Sequence, residues 1–126
     1  MDIEILRKLL NDFNPNLYIE SIDKMLVIGP NEYLTLYAAK ANEMLNINNS
    51  GTHWHMETEK MAEFIIDILK GNSIVIEIRS VLVKVINIPS DYKIISKEKY
   101  EKIKYRYIGK KRVRIYSGNS IIQRSD

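Results

Sequence analysis

Residues 57–79 read ETEKMAEFIIDILKGNSIVIEIR, and this stretch decides the fold. Met61, Phe64, Ile65, Ile68 and Leu69 recur at three- and four-residue steps, while Lys60, Glu63, Asp67 and Lys70 lie opposite, so the spacing predicts an amphipathic helix from Glu57 to Lys70. Three of its acids lie in the first half and Lys70 closes it, which suits the helix macrodipole. Gly71-Asn72 then supplies a left-handed stop. Ser73 to Arg79 and Val81 to Ile88 are β-branched and alternating, with Glu77 and Lys84 the only charges inside them, which predicts two central strands.

Working outward, Ile3, Leu6, Leu9, Leu10 and Phe13 predict a short amphipathic helix with Asp2 as N-cap and Asn14-Pro15 as its stop. Leu17 to Ile28 and Tyr33 to Ala39 read as strands around the turn Gly29-Pro30-Asn31-Glu32. Leu36 to Leu45, rich in alanine, also fits a helix. Pro89-Ser90-Asp91 turns the chain into a strand from Tyr92 to Ile95. Two readings stay open beyond it. Either Ser96 caps a short helix carrying Tyr100, Ile103 and Tyr107 on one face, or Ile103 to Ile108 pairs with Arg112 to Tyr116 as a hairpin across Gly109-Lys110-Lys111. The expected architecture is a single α+β domain over residues 1–126: a mainly antiparallel sheet of four to six strands with the two amphipathic helices packed on one face.

Composition bounds the function. A chain of 126 residues, 45% of them hydrophobic, needs no metal or disulfide to fold, and cysteine is absent, which excludes a thiolate nucleophile and a cysteine-ligated zinc. The N-terminus carries Asp2 and Glu4 where a signal peptide has positive charge, and no apolar run approaches the roughly 18 residues that span a bilayer, so the expectation is a cytoplasmic protein without membrane contact. Charge is divided unevenly. Residues 1–92 hold 8 Lys/Arg against 13 Asp/Glu, whereas 93–126 hold 11 against 3, so a basic C-terminal quarter follows a mildly acidic body. Clustered cations attract phosphate or an acidic protein face.

Two constellations carry possible chemistry. His53 and His55, the only histidines, flank Trp54, the only tryptophan, just before the strong helix. In an extended segment both imidazoles project to one side, which makes them candidate metal ligands and the centre of a metal-dependent enzyme reading, with Glu57 or Glu59 as a further donor. The structural alternative places His55 at the helix N-terminus, accepting a backbone N–H, and tucks Trp54 between helix and sheet; a third alternative makes the loop a partner contact. In the hairpin reading Lys104, Arg106, Arg112 and Arg114 share a face with Tyr116, and Lys110 and Lys111 form the tip. That face suits an acidic protein partner or, with its tyrosines, RNA or DNA. No phosphate-binding, dinucleotide-binding or nucleophile-elbow motif occurs, and nothing pairs a nucleophile with a base, so no enzyme activity and no cofactor are expected.

The succession helix, β-meander, Thr52-His53-Trp54-His55-Met56-Glu57-Thr58 leading into an amphipathic helix, Lys70-Gly71-Asn72 and then Ile74-Val75-Ile76-Glu77-Ile78-Arg79-Ser80 resembles small bacterial proteins among which immunity proteins of polymorphic or contact-dependent toxin systems are common. The resemblance spans residues 50–80. It implies a cytoplasmic, non-catalytic domain that binds a cognate toxin and covers its active site or substrate path. Such proteins are often acidic where they cover a nuclease, so the basic quarter here implies a toxin with an acidic face. The leading expectation is therefore a protein-interaction domain binding through Lys104, Arg106, Lys110, Lys111, Arg112, Arg114, Tyr116 and Trp54. Nucleic-acid binding by the same cations and a metal site at His53 and His55 are the alternatives; oligomeric state stays open.

Overall fold

A computed structural model describes residues 1–31, 33–79, 90–118 and 120–124. The chain divides into two compact units, Met1–Ile66 and Asp67–Asp126. The α+β class and the antiparallel pairing are as the sequence predicts, with the strands distributed over two sheets. The strand predicted for Val81 to Ile88 lies outside the described residues.

The first unit opens with helix α1 (Ile3–Phe13). The Asp2 carboxylate accepts the backbone N–H groups of Glu4 and Ile5 at 3.0 and 3.1 Å, satisfying donors the helix cannot satisfy itself. Five strands follow as an antiparallel meander in sequence order: β1 (Tyr18–Ile22), β2 (Met25–Gly29), β3 (Leu36–Ala39), β4 (Met44–Ile47) and β5 (His53–His55). Paired residues share a face, so the register sets Leu26, Ile28, Leu36, Ala38, Leu45 and Ile47 on one side, and all are fully buried. Leu6 and Leu10 of α1, with Met61 and Ile65 of helix α2 (Thr58–Lys70), complete that core. A one-residue slip of any strand would expose this set, whose leucines and isoleucines each stabilise by roughly 1.5–3 kcal/mol when buried.

Two local expectations change here. Leu17 to Ile28 is a hairpin, broken where Asp23 takes φ 53°; aspartate tolerates this left-handed conformation better than most residues. Leu36 to Leu45 is two strands joined by a 3₁₀ turn at Ala41–Glu43, with Asn42 at φ 60°. Strand pairing wins over the alanines' helix preference because it buries Leu36, Ala38 and Leu45 together. Asn48 holds the next turn: it accepts from the Thr35 N–H at 2.7 Å and donates to the Tyr33 carbonyl at 3.0 Å.

Helix α2 crosses the boundary between the units. The second unit holds β6 (Ser73–Ile78), β7 (Asp91–Ser96), helix α3 (Lys97–Ile103), a 3₁₀ turn (Lys104–Arg106), β8 (Val113–Ser117) and β9 (Ser120–Arg124), in the sheet order β7-β6-β8-β9. Strand β6 is antiparallel to both neighbours, so β7 and β8 run parallel to one another across it. Parallel strands require a crossover connection, and α3 is that crossover. It packs Tyr100, with Ile103 and Tyr107 from its C-terminal side, onto Ile74, Ile76, Ile95, Val113 and Ile115.

Where the end of α2 meets the β8–β9 turn, two glycines permit close approach. Gly118 has φ 57°, and a Cβ there would stand 2.9 Å from the Leu69 carbonyl oxygen; Gly71 has φ 79°, and its Cβ would meet the Ser117 hydroxyl at 2.8 Å. We expect Gly118→Ala to destabilise the protein by more than about 1 kcal/mol in urea unfolding, since backbone cannot yield as a side chain can. Adding Ser117→Ala should recover part of the loss in Gly71→Ala and none of it in Gly118→Ala.

Candidate functional site

Most cations of the basic quarter lie on the connection between β7 and β8. Ser96 caps α3, its hydroxyl accepting the Lys99 N–H at 3.1 Å, as the helical reading of this segment predicts. The hairpin reading is corrected: β8 pairs with β6 and β9, and Ile103 to Ile108 passes through the end of α3 and the 3₁₀ turn instead. The apolar strand β6 offers Val113 and Ile115 a buried partner, which a solvent-exposed hairpin cannot.

The correction redistributes the predicted face. Lys104, Arg106, Lys110, Lys111 and Arg112 are exposed along the connection between α3 and β8, and Arg112 takes φ 61° as the chain turns back into the sheet. Arg114 and Tyr116 do not join them. Arg114 lies in β8 with its side chain 22% exposed, and Tyr116 is 1% exposed. Part of the positive charge is neutralised locally: Lys104 pairs with Glu101 at 2.8 Å and Lys102 with Glu98 at 3.6 Å. The hydrogen bond from Lys104 holds the Glu101 carboxyl below its ordinary range and raises the Lys104 ammonium. Lys110, Lys111 and Arg112 have no carboxylate partner among the described residues. Between the cations stand Tyr105, 66% exposed with the Arg106 guanidinium 5.8 Å from its ring centre, and Ile108, 71% exposed. Sequence analysis passed over this exposed pair, because the hairpin reading placed both Tyr105 and Ile108 within the strand Ile103 to Ile108.

A second arrangement lies inside the sheet of the same unit. Glu77, the charge interrupting β6, is buried and accepts the hydroxyl protons of Tyr92 at 2.7 Å and Tyr116 at 3.1 Å, with Arg114 Nε at 3.9 Å. Tyr92 and Arg114 are its direct cross-strand partners on β7 and β8. Burial, then the Glu77 charge, pushes the Tyr116 phenol up to about 12. The arrangement links the three strands that carry it.

The His-Trp-His segment is β5, the edge strand of the five-stranded sheet. Its alternation turns Trp54 toward α2, where the indole stands 5.4 Å from the Phe64 ring, as the structural reading of Trp54 predicts. Both histidines are exposed on the opposite face, ring centres 5.0 Å apart. His55 does not accept a hydrogen bond at the helix N-terminus, as that same reading expected. Its Nδ1 faces the Asn42 carbonyl at 2.7 Å and therefore donates, because a carbonyl oxygen only accepts. His53 Nδ1 faces the Gly51 carbonyl at 3.2 Å in the same way. Among the described residues no three His, Asp or Glu side chains gather as a metal-binding cluster, and Glu57 and Glu59 line a separate hollow with Asp2 and Glu43.

No family model, curated protein or solved structure matches the chain. Among the described residues no helix is long and apolar enough to cross a membrane.

The raised Tyr116 phenol gives stability a pH dependence of known sign. The unfolded tyrosine ionises near 10.0 and the folded one near 12, so the stabilisation is complete below pH 10 and is lost as pH rises toward 12. Tyr116→Phe should lower stability at neutral pH by about 1–3 kcal/mol and flatten the alkaline decline relative to wild type, measured by urea unfolding across that range.

Proposed function

We propose that the protein is a non-enzymatic interaction module of the cytoplasm that binds an acidic protein face through the connection between α3 and β8. One observation carries the reading: Tyr105 and Ile108 stand exposed, interspersed along the chain with the exposed Lys104, Arg106, Lys110, Lys111 and Arg112. An aliphatic side chain such as Ile108 gains free energy only by entering an apolar pocket, which a protein partner offers and a phosphate backbone does not. The surrounding cations are suited to speeding encounter and excluding basic competitors. Following the resemblance to immunity proteins, the proposed partner is a cognate toxin whose acidic surface is covered by this connection. Trp54, held against Phe64, contributes to the shape of the first unit and is not assigned to the interface.

The test is a pull-down from the native host with nuclease-treated and untreated lysate, comparing wild type, Ile108→Ser and the charge-reversed Lys110→Glu/Lys111→Glu/Arg112→Glu. These positions are exposed, so the variants should fold as wild type does. A single stoichiometric protein that survives nuclease supports the proposal, provided Ile108→Ser weakens it at least about tenfold and charge reversal removes it. Retention that vanishes on nuclease treatment and falls steeply with salt would replace it with the nucleic-acid reading.

A further inference from the structure

The other exposed constellation, on the first unit, is the pair of histidines on β5. Three features of its geometry bear on metal binding. The imidazoles occupy alternate positions of one strand and so share a face. Each directs Nδ1 at a backbone carbonyl, Gly51 for His53 and Asn42 for His55, which fixes the Nδ1–H tautomer of the neutral ring and leaves the Nε2 lone pair without a partner among the described residues. Metal-bound histidines characteristically donate their second nitrogen in this way, because the bond orients the ring and raises its basicity. The third feature is distance. With metal–nitrogen bonds of about 2.0–2.1 Å, the ring centres of a two-imidazole chelate stand about 4.5–5.2 Å apart for angles between square and tetrahedral. The ring centres here are 5.0 Å apart with their planes at 83°, so the spacing falls in that range while the rings stand edge to face.

The supports for these rings belong to the fold. Asn42 presents its carbonyl from the left-handed position of the 3₁₀ turn between β3 and β4, and the Met56 N–H bonds the Glu43 carbonyl at 2.9 Å, extending the β4–β5 pairing just past His55. His55 is thus oriented by the turn preceding β4 and His53 by the turn preceding β5.

We propose that His53 and His55 form a two-imidazole chelate for a borderline divalent transition-metal ion, binding through both Nε2 atoms, with the remaining coordination positions open to water or an exogenous ligand. Imidazole donors suit Cu²⁺, Ni²⁺ and Zn²⁺, and intrinsic affinities place Cu²⁺ first. With two protein ligands the site is a labile docking position and not a closed structural centre.

The experiment is a calorimetric titration of the full chain, carrying no histidine tag, with Cu²⁺, Ni²⁺ and Zn²⁺. Wild type, His53→Ala, His55→Ala and the double variant are compared, with electron paramagnetic resonance of the Cu²⁺ form. Expected are one ion per chain, Cu²⁺ bound tightest, two imidazole nitrogens in the Cu²⁺ spectrum, and at least about a tenfold loss of affinity on removing either ring, since the second donor binds intramolecularly. Both side chains are exposed, so metal-free melting temperatures should match wild type, whereas the metal-induced rise in melting temperature should disappear in the double variant. Affinity unchanged in either single variant, a single-nitrogen spectrum, or binding retained by the double variant would overturn the proposal.

Discussion

Pairing of β6 along both of its edges is the constraint on which the second unit depends. Because β7 and β8 are each antiparallel to β6, they run parallel to one another, and the chain leaving β7 at Ser96 must travel the length of the sheet before entering β8 at Val113. Residues 97–112 make that journey. Their first half is the helix whose Tyr100 seals the core, and their second half keeps only Tyr107 against that core while its cations face solvent. The exposed basic connection follows from strand order, and its exposed Tyr105 and Ile108 follow from the connection.

The same strand carries the buried carboxylate. Glu77 draws Tyr92 from β7 and Tyr116 and Arg114 from β8, so one acid inside the sheet ties both flanking strands to a single register. A buried ionic group of this kind is weak evidence for added stability, since desolvation offsets its Coulombic gain. Its effect is selective: slipping either strand by one residue would turn the phenol or the guanidinium to the opposite face and leave a charge in the sheet without its partners.

Alternation along three residues serves two purposes in the first unit. Trp54 faces inward to Phe64, and His53 and His55 face outward from an edge strand, each ring steadied by a carbonyl of a neighbouring turn. The acidic residues near α2 stay apart from them, around the hollow lined by Asp2, Glu43, Glu57 and Glu59. The two exposed constellations, cationic and imidazole, thus belong to different units and draw on different physics.

Local pattern in the sequence determined the elements whose energetics are local: α1 with its Asp2 cap, α2 with its apolar stripe and the β-branched run of β6; it offered Ser96 as a helix start in one of two open readings. It also showed that charge concentrates after residue 92 and that Glu77 interrupts an apolar strand. Tertiary structure decided what depends on partners distant in sequence. Whether Arg112 to Tyr116 folded back on Ile103 to Ile108 or joined β6 was a competition between two pairings of similar local propensity, and β6 won because it buries Val113 and Ile115. That outcome took Arg114 and Tyr116 off the predicted face and placed them beside Glu77. Likewise the backbone turns at Asp23, Asn42 and Asn48 became visible only when the meander closed, because left-handed residues declare themselves through the strands they connect. Sequence alone set α1, α2, β6 and the inventory of charges; long-range strand pairing, through the apolar surface it buries, divided the rest of the chain into strands and decided which of those charges face solvent.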